Sequence, residues 1–369
     1  MSHYFFKRLA LIIPTFLGIT LLTFFMIKLA PGSPIEEKLQ SAEGMKAQNF
    51  SQEVIDQIQV LYGLKVVLPG WYEHFIHSTN ARFFGVSDVE TQNWFRRSMV
   101  WVGENCIQYG RWMKSIVHLD FGISFKDNRK VIDKIKEALP ITLALNLIEV
   151  LIVYFISLPL GVYSAFKKDS FFDKSLMLTL FTLYSLPTFW VAMILIMLFS
   201  SGEYFNWFPM FGLWSDGAEH LSRLGYLENI LWHLVLPIVC MVYGSFAFLS
   251  RFSRANMLEV IQQDYIRTAR AKGLTEKQVV WKHAFRNSLI PLVTLMGTLL
   301  PALLGGSVII EQIFSIPGMG RLGFEAVFQR DYPLIMAIAA IEALLTLISL
   351  LLSDLLYVAV DPRIDFSKS

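Results

Sequence analysis

Residues 138–166 read ALPITLALNLIEVLIVYFISLPLGVYSAF, with Glu149 as the one charge in the run. A helix rises about 1.5 Å per residue, so about 20 apolar residues cross a hydrocarbon core of about 30 Å. This run is long enough, and it is one of several. Comparable stretches lie at Leu9 to Ala30, Leu176 to Ser200, Ile230 to Ser250, Leu289 to Ile310 and Leu334 to Val360. A single such run is compatible with a buried core helix; six in one chain predict an all-α integral membrane protein with six transmembrane helices. The first run has too long an apolar core for a secretory signal peptide, and Lys28 stands where a small residue should precede cleavage. An uncleaved first span is therefore expected.

Composition agrees. Of 369 residues, 54% are hydrophobic and only 17% charged, with 30 phenylalanines, and the mean hydropathy is +0.49. Soluble domains carry about 25% charge. The balance excludes a disordered chain and argues against a nucleic-acid binder driven by bulk charge. The two cysteines, Cys106 and Cys240, offer no disulfide framework and no paired metal motif.

The net charge of +2 conceals an asymmetric distribution of 32 basic residues. Lys7 and Arg8 precede the first span; Lys167, Lys168 and Lys174 lie between the second and third. Arg251, Arg254, Arg267, Arg270, Lys272, Lys277, Lys282 and Arg286 lie between the fourth and fifth, and Arg363 and Lys368 follow the sixth. The short connections of opposite parity hold only Arg223, Arg321 and Arg330. Basic residues mark cytoplasmic loops, so both termini are expected in the cytoplasm. The segment 31–137 is then external. Its length and aromatic content (Trp71, Trp94, Trp101, Trp112) suggest a small extracytoplasmic subdomain after the first helix. No internal repeat supports the inverted-repeat carriers.

The cytoplasmic loop 251–288 carries the most specific local pattern. Leu258, Ile261, Tyr265 and Ala269 recur at helical spacing. Gly273 ends that pattern, as a C-terminal glycine does. Thr275 and Gln278 form a Thr-x-x-Gln capping box that opens a second helix with Val280, Trp281, Ala284 and Phe285 on one face. The expected unit is helix, glycine turn, helix. Membrane spans at both ends make a DNA-reading motif a poor alternative. A short amphipathic element of this kind suits docking on a cytoplasmic partner.

The run Tyr265-Ile-Arg267-Thr268-Ala269-Arg270-Ala271-Lys272-Gly273-Leu274, followed by Lys282-His283-Ala-Phe-Arg286-Asn287-Ser-Leu-Ile-Pro291, resembles the coupling loop of binding-protein-dependent ABC importer permeases of the oligopeptide and dipeptide branch. The broad superfamily pattern begins Glu-Ala-Ala; here Arg267-Thr268-Ala269 stands instead, the usual form in the peptide branch. Other stretches resemble the same branch: Ala30-Pro31-Gly32-Ser33-Pro34, Leu61-Tyr62-Gly63-Leu64, Asp120-Phe121-Gly122-Ile123-Ser124, Leu158-Pro159-Leu160-Gly161, Pro317-Gly318-Met319-Gly320 and Asp361-Pro362-Arg363. The ending, with Leu-Trp-His233 before Leu-Pro237, is most similar to Yej-type peptide permeases. That subgroup is linked to oligopeptides and to peptide-nucleotide antibiotics of the microcin C kind. Residues Val67 to Asn105 look like an insertion.

The resemblance implies a type I importer (MetI-like) permease bundle in a bacterial cytoplasmic membrane. It divides the chain into a first span (1–30), an external segment (31–137), a five-helix core (138–360) containing the coupling loop 251–288, and a tail (361–369). The implied partners are a second homologous permease, two ATP-binding subunits or domains and an extracytoplasmic peptide-binding protein. The implied contact with the ATPase comprises Tyr265, Arg267, Thr268, Ala269, Arg270, Ala271, Lys272, Gly273, Leu274, His283, Arg286 and Asn287. No phosphate loop of the form GxxxxGK[ST] is present. No cofactor is expected on this chain, and ATP would be hydrolysed by the partners.

Polar residues inside the spans stand apart. Glu149 lies mid-span, where a charge costs about 2.5–3.5 kcal/mol on insertion scales. With Asn146 it either lines a water-filled pathway or makes a structural hydrogen bond, and Glu342 poses the same choice. Asp354, nearer the cytoplasmic end, suits an ion pair with a loop arginine. Pro187 and Pro237 can kink their helices, and Gly305 and Gly306 permit close helix approach. His74 and His77 share a helix face but lack a third ligand of clear spacing, so no metal site is expected. Tyr204, Trp207, Phe208 and Trp214 read as an interfacial belt. The alternative class is an ion-coupled secondary peptide carrier with Glu149 and Glu342 as proton sites.

Overall fold

The computed structural model describes residues 2–29, 72, 89–289, 291, 292, 295, 303 and 305–360, without the side chains of 2–7, 89–97 and 353–360. Among the described residues the regular secondary structure is helical apart from one isolated bridge, Ile123 to Lys130. The long helices are α1 (Ser2–Leu29), α2 (Val89–Val117), α3 (Val131–Phe166), α4 (Phe171–Ser185), α5 (Thr188–Phe199) and α6 (Arg223–Ile261). Shorter pieces follow: α7 (Asp264–Ala271), α8 (Glu276–Gln278), a π-helical segment (Val279–Ala284), α9 (Phe285–Ser288), α10 (Val308–Ile313) and α11 (Met319–Phe328). α12 (Tyr332–Val360) closes the series.

Four stretches are long and apolar enough to cross a membrane, at Arg8–Leu29, Val131–Phe166, Arg223–Ile261 and Tyr332–Leu352. They contain or overlap four of the expected spans. The expected third span, Leu176 to Ser200, is not one straight helix: α4 and α5 meet at 96°. The cause is local. Leu186 precedes Pro187 and is extended, at φ −82° and ψ 129°, because a proline ring clashes with a helical backbone in the residue before it. Pro187 then serves as the N-cap position of α5. Pro237, by contrast, sits inside an uninterrupted α6. Counting the bent pair as one span gives five among the described residues. Half of the expected fifth span, 289–310, lies outside them.

The chain separates into two compact units. One comprises residues 1–16, 134–328 and 340–369; the other comprises 17–133 and 329–339. The core of the first is built where α3, α5 and α6 meet the segment 308–316. Leu145, Ala192, Leu234, Cys240, Ile310, Phe314 and Ile316 are buried together there. Gly161 marks the close approach of α3 to α6, since a Cβ at that position would lie 2.7 Å from both the Ser250 carbonyl oxygen and the Ser253 Cβ. Beyond α5, Phe205 and Trp207 pack ring to ring at 4.9 Å and Phe208 packs on Trp232 at 4.8 Å. Tyr204 and Trp207 remain well exposed, in keeping with an interfacial belt.

In the second unit, Phe24 of α1 packs edge-on against Tyr109 of α2 at 5.6 Å. The Tyr109 and Thr20 hydroxyls lie 2.9 Å apart. The turn 122–130 is pinned by Asp331, whose carboxylate accepts the Ser124 hydroxyl at 2.5 Å and the Phe125 N–H at 3.0 Å.

Candidate functional site

The helix pair expected within 251–288 forms, with two differences. Gly273 adopts φ +80°, a left-handed conformation that costs an L-residue roughly 1–2 kcal/mol, and its N–H donates to the Arg270 carbonyl at 2.9 Å. The capping box is complete: the Gln278 N–H donates to Thr275 Oγ1 and the Thr275 N–H donates to Gln278 Oε1. Arg270 and Glu276 pair across the turn at 2.8 Å. Both are substantially exposed, so the pair contributes at most about 1 kcal/mol.

The first difference is a break. α6 ends at Ile261, and α7 starts afresh at Asp264 with Gln263 extended as its N-cap residue. The phase of the apolar stripe therefore resets. Ile266 and Ala269 are buried, while Tyr265 is 44% exposed. The Tyr265 hydroxyl instead accepts the Asn287 side-chain amide at 2.8 Å and ties the two helices together. The second difference is the π-helical segment Val279–Ala284. Wider turns rotate the face, so Val279, Val280 and Ala284 are buried and Trp281 is 44% exposed. Turns of this kind often mark functional positions.

One apolar cluster seats the pair. Val162 and Ala165, at the end of α3, join Met257 of α6, Ile266, Ala269, Val279, Val280 and Ala284. The other face is open. Tyr265, Arg267, Thr268, Arg270, Ala271, Lys272, Gly273, Leu274, Arg286 and Asn287 are exposed, His283 is half-buried and Ala269 is buried. The result is an exposed basic face over an apolar seat shared with the ends of two long helices, α3 and α6.

Beside this seat lies an ion pair that sequence reasoning missed. Asp173 accepts Arg254 Nε and Nη2, each at 2.7 Å, the Ser164 hydroxyl at 2.5 Å and the Asp169 N–H at 3.0 Å. The Asp173 side chain is 3% exposed and that of Arg254 20%. Arg254 counted only as a basic residue in the sequence, and its partner is 81 residues away. The expected partner for a loop arginine was Asp354, which lies in α12 with its side chain outside those described.

The mid-span polar residues sort into two groups. Asn146 and Glu149 of α3 line one mainly polar cavity of about 290 Å³ with Thr188, Ser245 and Ser307. Ser245 donates to Glu149 Oε1 at 2.7 Å, and Asn146 Nδ2 donates to the Leu303 carbonyl at 2.8 Å. Glu342, half-buried on α12, is not part of this lining. A further carboxylate, Glu311, is buried just beyond the expected fifth span. It accepts the Thr142 hydroxyl at 3.0 Å and the Arg321 N–H at 2.9 Å. A Cβ at Gly306 or Gly318 would stand within 2.6 Å of its carboxylate oxygens. Gly306 thus permits the expected close helix approach, since its Cβ would also lie 2.9 Å from the Gly320 backbone nitrogen at the start of α11, and it leaves room for the Glu311 carboxylate as well. A Cβ at Gly305 would have nothing within 4 Å among the described residues. His74 and His77 lie outside the described residues.

Several helices long and apolar enough to cross a membrane, with a basic helix pair packed beside two of them, describe a multi-pass membrane protein. The chain belongs to the family of binding-protein-dependent transport system inner membrane components, whose pattern matches residues 157–366. It is 35% identical to the oligopeptide transport system permease protein AppB of Bacillus subtilis, covering 99% of this chain and 100% of that one. It is 34% identical to the peptidoglycan transport system permease protein YejB of Agrobacterium fabrum, over 100% and 99%. The inner membrane ABC transporter permease protein YejB of Escherichia coli O157:H7 is 33% identical over 99% of each. Among solved structures, a chain of the inward-facing MetNI methionine ABC transporter has a TM-score of 0.48 and 18% identity. The match covers 62% of this chain and 97% of that one.

Proposed function

We propose that the chain is a translocation subunit of an ATP-driven importer of peptides or peptide-like compounds, with six spans, a small external subdomain and both termini in the cytoplasm. Full-length similarity to oligopeptide and dipeptide permeases supports the substrate class. The chain works beside a second permease of the same family, two ATP-binding subunits or domains and an extracytoplasmic binding protein. It has no ATPase site of its own and binds no cofactor; the partners hydrolyse ATP.

The observation that carries the coupling role is the seating of the helix pair. Its exposed basic face and its buried apolar face lie on opposite sides of two short, crosslinked helices. A push on the exposed face is transmitted to the end of α3 through Val162 and Ala165, and to α6 through Met257. The Asp173–Arg254 pair carries the same displacement to the start of α4. Closure of the ATPase pair thereby switches the bundle from inward-facing to outward-facing, ready to receive peptide. The test is co-purification of the tagged chain with ATP-binding subunits, before and after Gly273→Pro. Retained association and normal ATP-driven peptide uptake by Gly273→Pro would contradict the coupling role.

A further inference from the structure

The cavity holding Glu149 has a chemistry of its own. It lies between α3, the first residue of α5, the middle of α6 and the start of α10. Its polar side chains are Asn146, Glu149, Thr188, Ser245 and Ser307, and Gly244 and Gly306 complete the lining with Cys240, Met241 and Ile310. Glu149 is its one charged residue. One carboxylate oxygen accepts the Ser245 hydroxyl at 2.7 Å; among the described residues the other accepts nothing, and no cation pairs with it. A carboxylate mid-span faces a bundle interior or a water-filled cavity rather than lipid, because exposure to hydrocarbon is costly. A site offering a free carboxylate oxygen selects a ligand rich in N–H donors. An ammonium group has three such donors and no acceptor, and a second carboxylate would be repelled. At about 290 Å³ the cavity is at the low end for ligand sites, suited to one end of a peptide rather than to all of it.

Resting on the peptide-importer reading above, we propose that Glu149 receives the ammonium group of the transported peptide within the bundle. The amino terminus supplies it in most peptides; a lysine side chain offers the same chemistry.

The test uses the complete transporter in proteoliposomes, with binding protein saturated by each peptide. Three probes are compared: an alanyl tripeptide with a free amino terminus, its N-acetylated form, and an N-acetylated tripeptide containing lysine. The wild type is expected to move the free-amine peptide about tenfold faster or more than the acetylated one, the size of one hydrogen bond to a charged group. Glu149→Gln should collapse that ratio toward one, and Glu149→Asp, which keeps the charge, should retain part of it. Fast uptake of the acetylated lysyl peptide by the wild type assigns the site to any ammonium; slow uptake assigns it to the amino terminus. An unchanged ratio in Glu149→Gln overturns the proposal, as does equal slowing of all peptides. Loss of the second permease from Glu149→Gln on size exclusion also overturns it, by making Glu149 an interface residue. Absence of ATP-dependent uptake of any peptide by the wild type would instead defeat the importer reading itself.

Discussion

Gly273 concentrates the coupling argument in one backbone angle. At φ +80° no proline can fit, since its ring fixes φ near −65° and removes the N–H that closes the turn on Arg270. Gly273→Pro is expected to leave the chain in the membrane but to abolish ATP-driven uptake, read by comparing membrane content with transport rate. Gly273→Ala should be milder, with a strain of roughly 1–2 kcal/mol seen as partial loss. The Asp173–Arg254 pair gives a second residue-scale prediction. Removing one partner of a buried pair costs about 3–5 kcal/mol, so Arg254→Ala should lower the thermal midpoint of the purified transporter. Arg254→Lys should recover little, because the pairing is bidentate. Gly273 was legible in the sequence because its turn is local, bounded by a capping box four residues long. Asp173 was not: each member of the pair is an ordinary charged residue until the fold brings α4 and α6 together.

At the scale of elements, periodicity located the helices but not their interruptions. Leu258, Ile261, Tyr265 and Ala269 fit one continuous stripe. The two glutamines at 262 and 263 break it, and the stripe resumes one residue out of step at Ile266. The π-helical segment shifts the second helix in a similar way, because a single wider turn leaves no signature in residue type. Pro187 was legible as a kink, and its pre-proline effect accounts for the bend between α4 and α5. The contact of α3 with α6 at Gly161 gives an element-scale prediction. Gly161→Leu would force a side chain into a 2.7 Å approach. Overpacking of this kind costs about 1–3 kcal/mol and should appear as a lowered thermal midpoint with reduced monodispersity in detergent. The variant's position beside the coupling seat should also slow transport.

For the whole molecule, the asymmetry of its basic residues makes a claim about orientation that can be checked with its own cysteines. Cys106 of α2 is exposed and Cys240 is buried. With both termini cytoplasmic, a membrane-impermeant maleimide added outside intact spheroplasts should label Cys106 and leave Cys240 unmodified. Labelling of Cys106 only from the cytoplasmic side would reverse the orientation and move the helix pair away from the ATPase. The central claim is that this chain moves peptides with energy supplied through that helix pair. It is tested most directly by peptide uptake into proteoliposomes holding the complete transporter, with ATP inside and a protonophore present. The account predicts accumulation that requires the ATP-binding subunits, survives the protonophore and is lost in Gly273→Pro. Uptake that persists without those subunits and collapses with the proton gradient would contradict it.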